Sequence, residues 1–258
     1  MSRLRPALIL AVFTLVTLPL MPLQQLFVWF WPAMARAFPM YYHRLVLRIL
    51  GVRLKIVGIP PGQGPTLIAS NHASWLDIPV LSAVAPLSFI AKREVNGWPF
   101  FGALARLQRT VFVDRARRHA TGSSRSEIQE RLKAGDTLVL FAEGTSSDGA
   151  HVLPFKSALF GAAEYPGVAV QPVTIAYTGH RNLPMNRRLR PSYAWYGAMD
   201  LPPHLWAALA SGPIDVTVIC HEPLSLEAGM DRKALARHAE NLVRQGLVRA
   251  LHHPVKMG

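Results

Sequence analysis

TLIASNHASWLDIPVLSAV, residues 66–84, passes from an apolar run through a short polar loop into a helical pattern. TLIAS reads as a buried strand, and Ser74 with Asp77 forms an S-x-x-D capping box that starts a helix at Trp75. His72 is left on the loop between the two elements, facing back toward Asp77. Outward from this unit the same alternation recurs. LKIVG, LSFIA, TVFVD, TLVLFAE, VAVQPVTIAY and DVTVICHE read as strands. FFGALARL, SRSEIQERLKAG, KSALFGAAEY and the segment from Asp231 to Leu251 read as helices, the last with Leu235, Ala239, Leu242, Val243, Leu247 and Ala250 on one face. Strands alternating with helices imply an α/β sheet with helices on its faces. Neither an internal repeat nor a Gly/Ser-rich linker divides residues 51–258, which are expected to form one domain.

Residues 1–50 have a different character. Between Arg5 and Arg36 there is no charged side chain, and ALILAVFTLVTLPLMPLQQLFVWFWPAMA has the composition of bilayer material. Pro19, Pro22, Gln24 and Gln25 leave open a bent span or a hairpin that enters one leaflet and returns. Phe27, Trp29, Phe30 and Trp31 suit an interfacial aromatic belt, and Arg3 and Arg5 place the N-terminus on the cytoplasmic side. A cleaved signal peptide is the rival, weakened by the length of the run and by aromatics crowding its small residues Ala33 and Ala35. MYYHRLVLRILGV, residues 40–52, forms an amphipathic helix for the headgroup plane or for the domain's own core.

The 258 residues carry 28 Lys plus Arg against 15 Asp plus Glu, a net charge of +13, while half the chain is apolar. With a slightly positive mean hydropathy, this excludes a disordered chain and points to an anionic lipid surface rather than nucleic acid. Arg187, Arg188 and Arg190 form a patch suited to nucleic acid, but no stacking or groove-reading motif accompanies them. The single cysteine, Cys220, excludes an internal disulfide framework and a zinc site built on several thiolates, and no metal is expected.

Two loops at strand ends hold the candidate chemistry. In NHASWLD, Asp77 could hold one imidazole nitrogen of His72 protonated while the other takes a proton from a hydroxyl. Equally, Asp77 could be a helix cap and His72 a polar loop residue. In FAEGTSSDG, residues 141–149, Glu143 could accept hydrogen bonds from a polyol or amine, and Gly144 permits close approach of a ligand to the backbone. A polar turn would look the same. Between the loops lie Lys92, Arg93, Gly97, Pro99, Gly102, Arg106, Arg109 and VFVDR, whose Arg115 could fork onto a phosphate or carboxylate or simply be a solvated charge. Trp98-Pro99-Phe100-Phe101 offers an apolar wall for a ligand chain or ordinary core.

In this order and spacing the pieces resemble the glycerolipid acyltransferase family typified by bacterial lysophosphatidic acid acyltransferase. Its signature, a His followed by four residues and an Asp, matches His72 to Asp77. AKREVNGWPFFGALARLQRTVFVDR, FAEGT and VAVQPVTIAY with Pro172 resemble its further blocks, so the likeness spans roughly residues 67–177. The resemblance implies a mixed central sheet flanked by helices, with an N-terminal membrane-associated segment over 1–50 and the acyltransferase domain over 51–258. It implies His72 and Asp77 as catalytic residues, and Glu143, Gly144, Thr145 and Arg115 as acceptor-binding, with Asn71, Lys92, Ser146 and Asp148 as further candidates. The expected reaction moves a fatty acyl chain from acyl-ACP or acyl-CoA, as co-substrate and without a cofactor, to a lysolipid hydroxyl. Membrane lipids are the expected surroundings, at the cytoplasmic face of the cell inner membrane.

The sequence departs from the family at Ser146, where the family usually has an Arg that helps hold the acceptor's phosphate. The text around it, EGTSSDGAHVLPFKSALFGAA and later YAWYGAMDLPPHLW, is similar to the branch that acylates lyso-ornithine lipid, a phosphate-free amino-acid lipid. This makes Glu143 or Asp148 a candidate partner for an ammonium group. The alternatives are a 1-acyl-sn-glycerol-3-phosphate acyltransferase and, from another class, a non-catalytic membrane lipid-binding protein.

Overall fold

The computed structural model describes residues 4–62, 64–114, 120–225 and 231–252, with the backbone alone at 120–125. Helices α1 (Leu4–Phe30) and α2 (Pro32–Leu50) are followed by β1 (Val52–Gly58), β2 (Thr66–Ser70), α3 (Asp77–Val84), β3 (Ser88–Lys92), α4 (Phe101–Leu107) and β4 (Val111–Val113). Helix α5 (Ala120–Lys133), β5 (Thr137–Phe141), β6 (Ala169–His180), β7 (Leu183–Pro184), α6 (Leu201–Ser211), β8 (Ile214–Cys220) and α7 (Arg232–His252) complete them. Among the described residues the strands form one sheet in the order β1-β8-β6-β2-β5-β3-β4, with β7 paired to β6. Strands β6, β2, β5, β3 and β4 run parallel, while β8 is antiparallel to β6 and carries β1 parallel to itself. The α/β architecture is as the strand–helix alternation predicts, and the mixed central sheet is as the family resemblance implies.

Alternation along the strands divides the core into two layers. Ile68, Val139, Phe141, Val173, Ile175 and Tyr177 pack with α3, α6 and the N-terminal helices. Leu67, Ala69, Leu138, Leu140, Val170 and Ala176 face α7 and the segment around Phe155 and Phe160. In α7, Leu235, Ala239, Val243, Leu247 and Ala250 are buried as predicted, and Leu242 is half-buried.

The apolar N-terminus divides at Trp31, between two helices. Pro32, which cannot continue an incoming helix but suits a first turn, starts α2. Hydrogen bonds from Gln24 Nε2 to Ala35 O, 3.0 Å, and between Thr17 Oγ1 and Tyr42 Oη, 2.8 Å, lay the two helices antiparallel. Helix α1 runs through Pro19 and Pro22, and is long and apolar enough to cross a membrane by length and composition. At ~1.5 Å per residue it extends about 40 Å. Leu4, Leu8, Leu15 and Leu18 are exposed along it, whereas Ile9 joins the domain's core. Helix α2 stops at Gly51, whose φ of 76° is the left-handed cap that glycine permits, and the Gly51 carbonyl accepts the Ile214 N–H of β8.

Several expectations are corrected. The regular part of α3 begins at Asp77 rather than Trp75, because residues 74–77 form a tighter turn with Asp77 N–H on Ser74 O at 3.1 Å. KSALFGAAEY is a run of 3-10 turns over Ser157–Glu164, not an α-helix. Helix α6 was not predicted, although Pro202 and Pro203 at its first turn are a helix-start signal. Trp98, Phe100 and Phe101 are partly exposed rather than ordinary core, with Phe100 edge-on to Phe13 of α1 and Trp98 edge-on to Trp195.

Arg109 belongs to a structural cluster at the sheet edge where β5 begins. Asp136, 4% exposed, accepts Arg36 Nε at 2.7 Å and Arg109 Nη2 at 2.9 Å, together with Arg131 Nε. Arg36 lies on α2 and Arg131 on α5, so one carboxylate ties the N-terminal hairpin to two parts of the domain. Burial alone would raise the Asp136 pKa, but the hydrogen bond and charge of Arg131 with the charges of Arg109 and Arg36 hold it below its ordinary value. Its contribution to stability is therefore complete above about pH 4 and is lost as pH falls through the lowered value. Asp136→Asn should destabilise the protein by about 1–3 kcal/mol at pH 7, the arginines being partly solvent-screened. Denaturant unfolding in detergent should show that deficit, and the two proteins should begin to converge only as pH falls below about 4, through the lowered value.

Candidate active site

The register of the parallel strands assembles the site. Ser70 lies opposite Phe141, and Lys92 opposite Val113, so the ends of β2, β5, β3 and β4 share one edge. Beyond that edge the His72 loop and the Glu143 loop are neighbours. Ala142 N–H donates to Ser70 O at 3.1 Å, His72 N–H to Glu143 Oε1 at 3.1 Å, and Ser147 N–H to His72 O at 2.8 Å. The two candidate loops are thus laced together, as parallel pairing of their strands requires.

His72 Nδ1 lies 2.8 Å from Asp77 Oδ2. The same oxygen accepts the N–H groups of Ala73, 2.6 Å, and Ser74, 2.9 Å, while Oδ1 accepts the Tyr177 hydroxyl at 2.6 Å. The Ser74 bond is the carboxylate half of the capping box read from sequence; the reciprocal half is not formed, because Asp77 N–H bonds Ser74 O and Ser74 Oγ accepts Leu76 N–H at 3.3 Å instead. A carboxylate only accepts, so Nδ1 carries a proton, and in the neutral ring the other nitrogen, Nε2, has its lone pair for incoming chemistry. Asp77 is fully buried, and the His72 side chain keeps 18% of its exposure. The imidazole is stacked on Phe141 at 3.9 Å between centroids, and Phe141 on Phe89 at 6.1 Å. Hydrogen bond and stacking together leave the ring one orientation.

The remaining candidates divide. Asn71 is a brace: its amide donates to Ile175 O at 2.9 Å and accepts Ile175 N–H at 2.8 Å, prolonging the β2–β6 pairing by one step. Glu143 is 1% exposed and holds the His72 backbone, which withdraws it from the surface where an amine would meet it. Its Oε2 is buried without a hydrogen-bond partner. Burial raises its pKa to about 8, against the hydrogen bond from the His72 backbone. Gly144, at φ 72°, makes the turn, and its N–H is spent on Phe141 O at 3.0 Å. Thr145 is exposed, Ser146 and Asp148 are half-buried on the same turn, and Lys92 is exposed at the end of β3. Arg115 lies outside the described residues. Tyr177, Phe141 and Ser147 were missed. Alternation along β6 carried the signal for Tyr177, since Val173, Ile175 and Tyr177 face the α3 layer.

Comparison with known proteins adds three findings. A family model described as Acyltransferase matches residues 53–176. A lyso-ornithine lipid O-acyltransferase of Brucella abortus is 51% identical over 255 residues, covering 96% of both chains, and one of Rhizobium meliloti is 41% identical, covering 94% of this chain and 86% of that relative. The crystal structure of the 1-acyl-sn-glycerophosphate acyltransferase PlsC of Thermotoga maritima, 24% identical, superposes over the whole of both chains with a TM-score of 0.72, a likeness of fold. The chain belongs to the acyltransferase family and is an enzyme of that class.

The state of Glu143 has a measurable consequence. An acid whose pKa is raised on folding binds more protons folded than unfolded, so stability falls as pH rises from about 4.5 toward 8. Glu143→Gln, which keeps an oxygen for the His72 N–H, should flatten that slope. Unfolding measured at pH 5 and at pH 8 should show a smaller loss in the variant than in the wild type.

Proposed function

We propose that this acyltransferase moves a fatty acyl chain from a thioester, acyl-ACP or acyl-CoA, to the free hydroxyl of lyso-ornithine lipid. The observation that carries the reading is the full-length similarity to the Brucella abortus enzyme, 51% identical over 255 residues. His72 Nε2 takes the proton of the acceptor hydroxyl, and the oxygen attacks the thioester carbonyl to form its ester bond directly, without an acyl-enzyme. The C–S bond then breaks, and the imidazolium returns its proton to the departing thiolate. Asp77 keeps Nδ1 protonated and stabilises the positive ring. The N–H groups of Gly144, Ser74 and Leu76 are already bonded within the fold, so the carbonyl's developing charge is met by other donors.

The same reading puts α1 in the lipid at the cytoplasmic face of the inner membrane, supported by its length and its exposed leucines. Because Ile9 and Gln24 are tied to the domain, deleting the segment would also uncover core. Gln24, for example, donates to Leu107 O at 2.9 Å. Replacing exposed Leu8, Leu15 and Leu18 with Gln is the cleaner change: vesicle co-sedimentation should drop, while activity on detergent-dispersed acceptor persists.

The test of function compares kcat/KM for lyso-ornithine lipid and lysophosphatidic acid with one acyl donor. Preference for the former is expected, because Ser146 provides no fork for a phosphate. The opposite preference would identify a maker of phosphatidic acid. His72→Ala should lower kcat by about 10²–10⁴ with the fold retained. Retention of more than a tenth of the turnover would remove His72 from the mechanism.

A further inference from the structure

Beside the His72 loop lies an arginine that the reaction so far leaves unused. Gly149 has φ 71°, and a Cβ placed on it would sit 3.3 Å from Ala73 Cβ and 3.6 Å from Arg190 Cδ. The stem of Arg190 is therefore packed on the turn that touches the residue following His72. The chain after Arg190 is fixed to that loop as well. Tyr193 N–H and Ala194 N–H donate to Arg190 O at 3.0 and 2.9 Å, and Trp195 N–H donates to Ala73 O at 2.8 Å. Arg190 Nε is buried without a hydrogen-bond partner. A buried guanidinium nitrogen left unbonded is costly unless a ligand completes it.

The neighbouring charge is Asp148, on the turn that carries Ser146. Its field supports the charge of Arg190 against desolvation, yet the two form no ion pair within 4 Å among the described residues. Asp148 Oδ1 caps its own turn by accepting Ala150 N–H at 2.8 Å and His151 N–H at 3.3 Å. Oδ2 faces an exposed His151 at 3.4 Å, and the Asp148 side chain keeps 41% of its exposure. One cation and one anion thus stand apart at the edge of the site, each incompletely matched. An ornithine acylated on its α-nitrogen keeps one carboxylate and one side-chain ammonium, the same two charges with signs reversed.

We propose that Arg190 and Asp148 form the headgroup clamp of the acceptor site, Arg190 binding the ornithine carboxylate and Asp148 the ammonium. The proposal rests on the lyso-ornithine lipid reading above. It replaces the missing arginine at position 146 with one delivered from the far side of the loop, and it assigns the ammonium to Asp148 rather than to buried Glu143. A phosphate headgroup could use Arg190 but would be repelled by Asp148, so the pair also discriminates between acceptors.

The test crosses enzyme variants with headgroup variants. Wild-type KM should rise about 10- to 100-fold when the lyso-ornithine carboxylate is converted to its methyl ester, with kcat nearly unchanged. Arg190→Gln should raise KM for the free acid by a similar factor, and by less than about threefold for the ester. Asp148→Asn should show the same pattern against an acceptor acetylated on its side-chain nitrogen. Equal wild-type KM for acid and ester would overturn the clamp without recourse to a variant, and so would an Arg190→Gln loss that is as large on the ester as on the acid. Wild-type turnover of lysophosphatidic acid alone would instead overturn the acceptor reading and the clamp with it.

Discussion

One carboxylate, that of Asp77, organises this molecule's working end. It has no contact with solvent and accepts from His72, Ala73, Ser74 and Tyr177, which come from the loop, the helix start and strand β6. A charge taken out of water requires such donors, and these four constrain three elements. Removing Tyr177 would leave Oδ1 unmatched, and removing any of the other three would thin the set on Oδ2, so loop, helix start and strand are held in mutual position by the cost of failing to do so. The imidazole inherits this rigidity. Its orientation is decided by Asp77 on its edge and Phe141 beneath its face.

The second constraint is the pairing of parallel strands. Because β2 and β5 run in step, residues far apart in the chain emerge at one level, and the His72 N–H finds Glu143 where the ladder ends. Asn71 extends the ladder on the other side by imitating a backbone pair with Ile175. The site is an outgrowth of the sheet's own hydrogen bonding rather than a loop laid over it, which agrees with where open α/β sheets place their ligands. Side chains at the opposite edge, such as Arg109 with Asp136, serve cohesion instead.

Much of this was legible in the amino-acid sequence, for identifiable reasons. Strand and helix alternation, the Ser74 N–H bond to the Asp77 carboxylate and the buried stripe of α7 are local patterns with local causes, and local reading recovers them. The His72–Asp77 contact was legible because the turn that brings them together lies between them. What failed depended on distant parts of the chain. Glu143 reads as an exposed acceptor until its strand is paired with β2, and Trp98 to Phe101 read equally as ligand wall or core until their exposure beside α1 and Trp195 is seen. Tyr177 sits 100 residues from Asp77, and only the register of β6 joins them. Helix α6 escaped although Pro202 and Pro203 at its first turn are a helix-start signal.

The N-terminal hairpin and the imidazole share one layer of the fold: Ile9, Val46, Leu47 and Leu50 belong to the same apolar cluster as Ala73, Leu76, Phe141 and Tyr177. On the proposed placement of α1 in the lipid, the catalyst and its acceptor would meet within a film rather than in a volume. The variable that governs encounter is then the mole fraction of lysolipid among its neighbours, and diluting the acceptor with inert lipid slows turnover even when the bulk amount of acceptor is constant. Such an enzyme reports surface composition, so its rate rises where lysolipid accumulates in the sheet of lipid beside it.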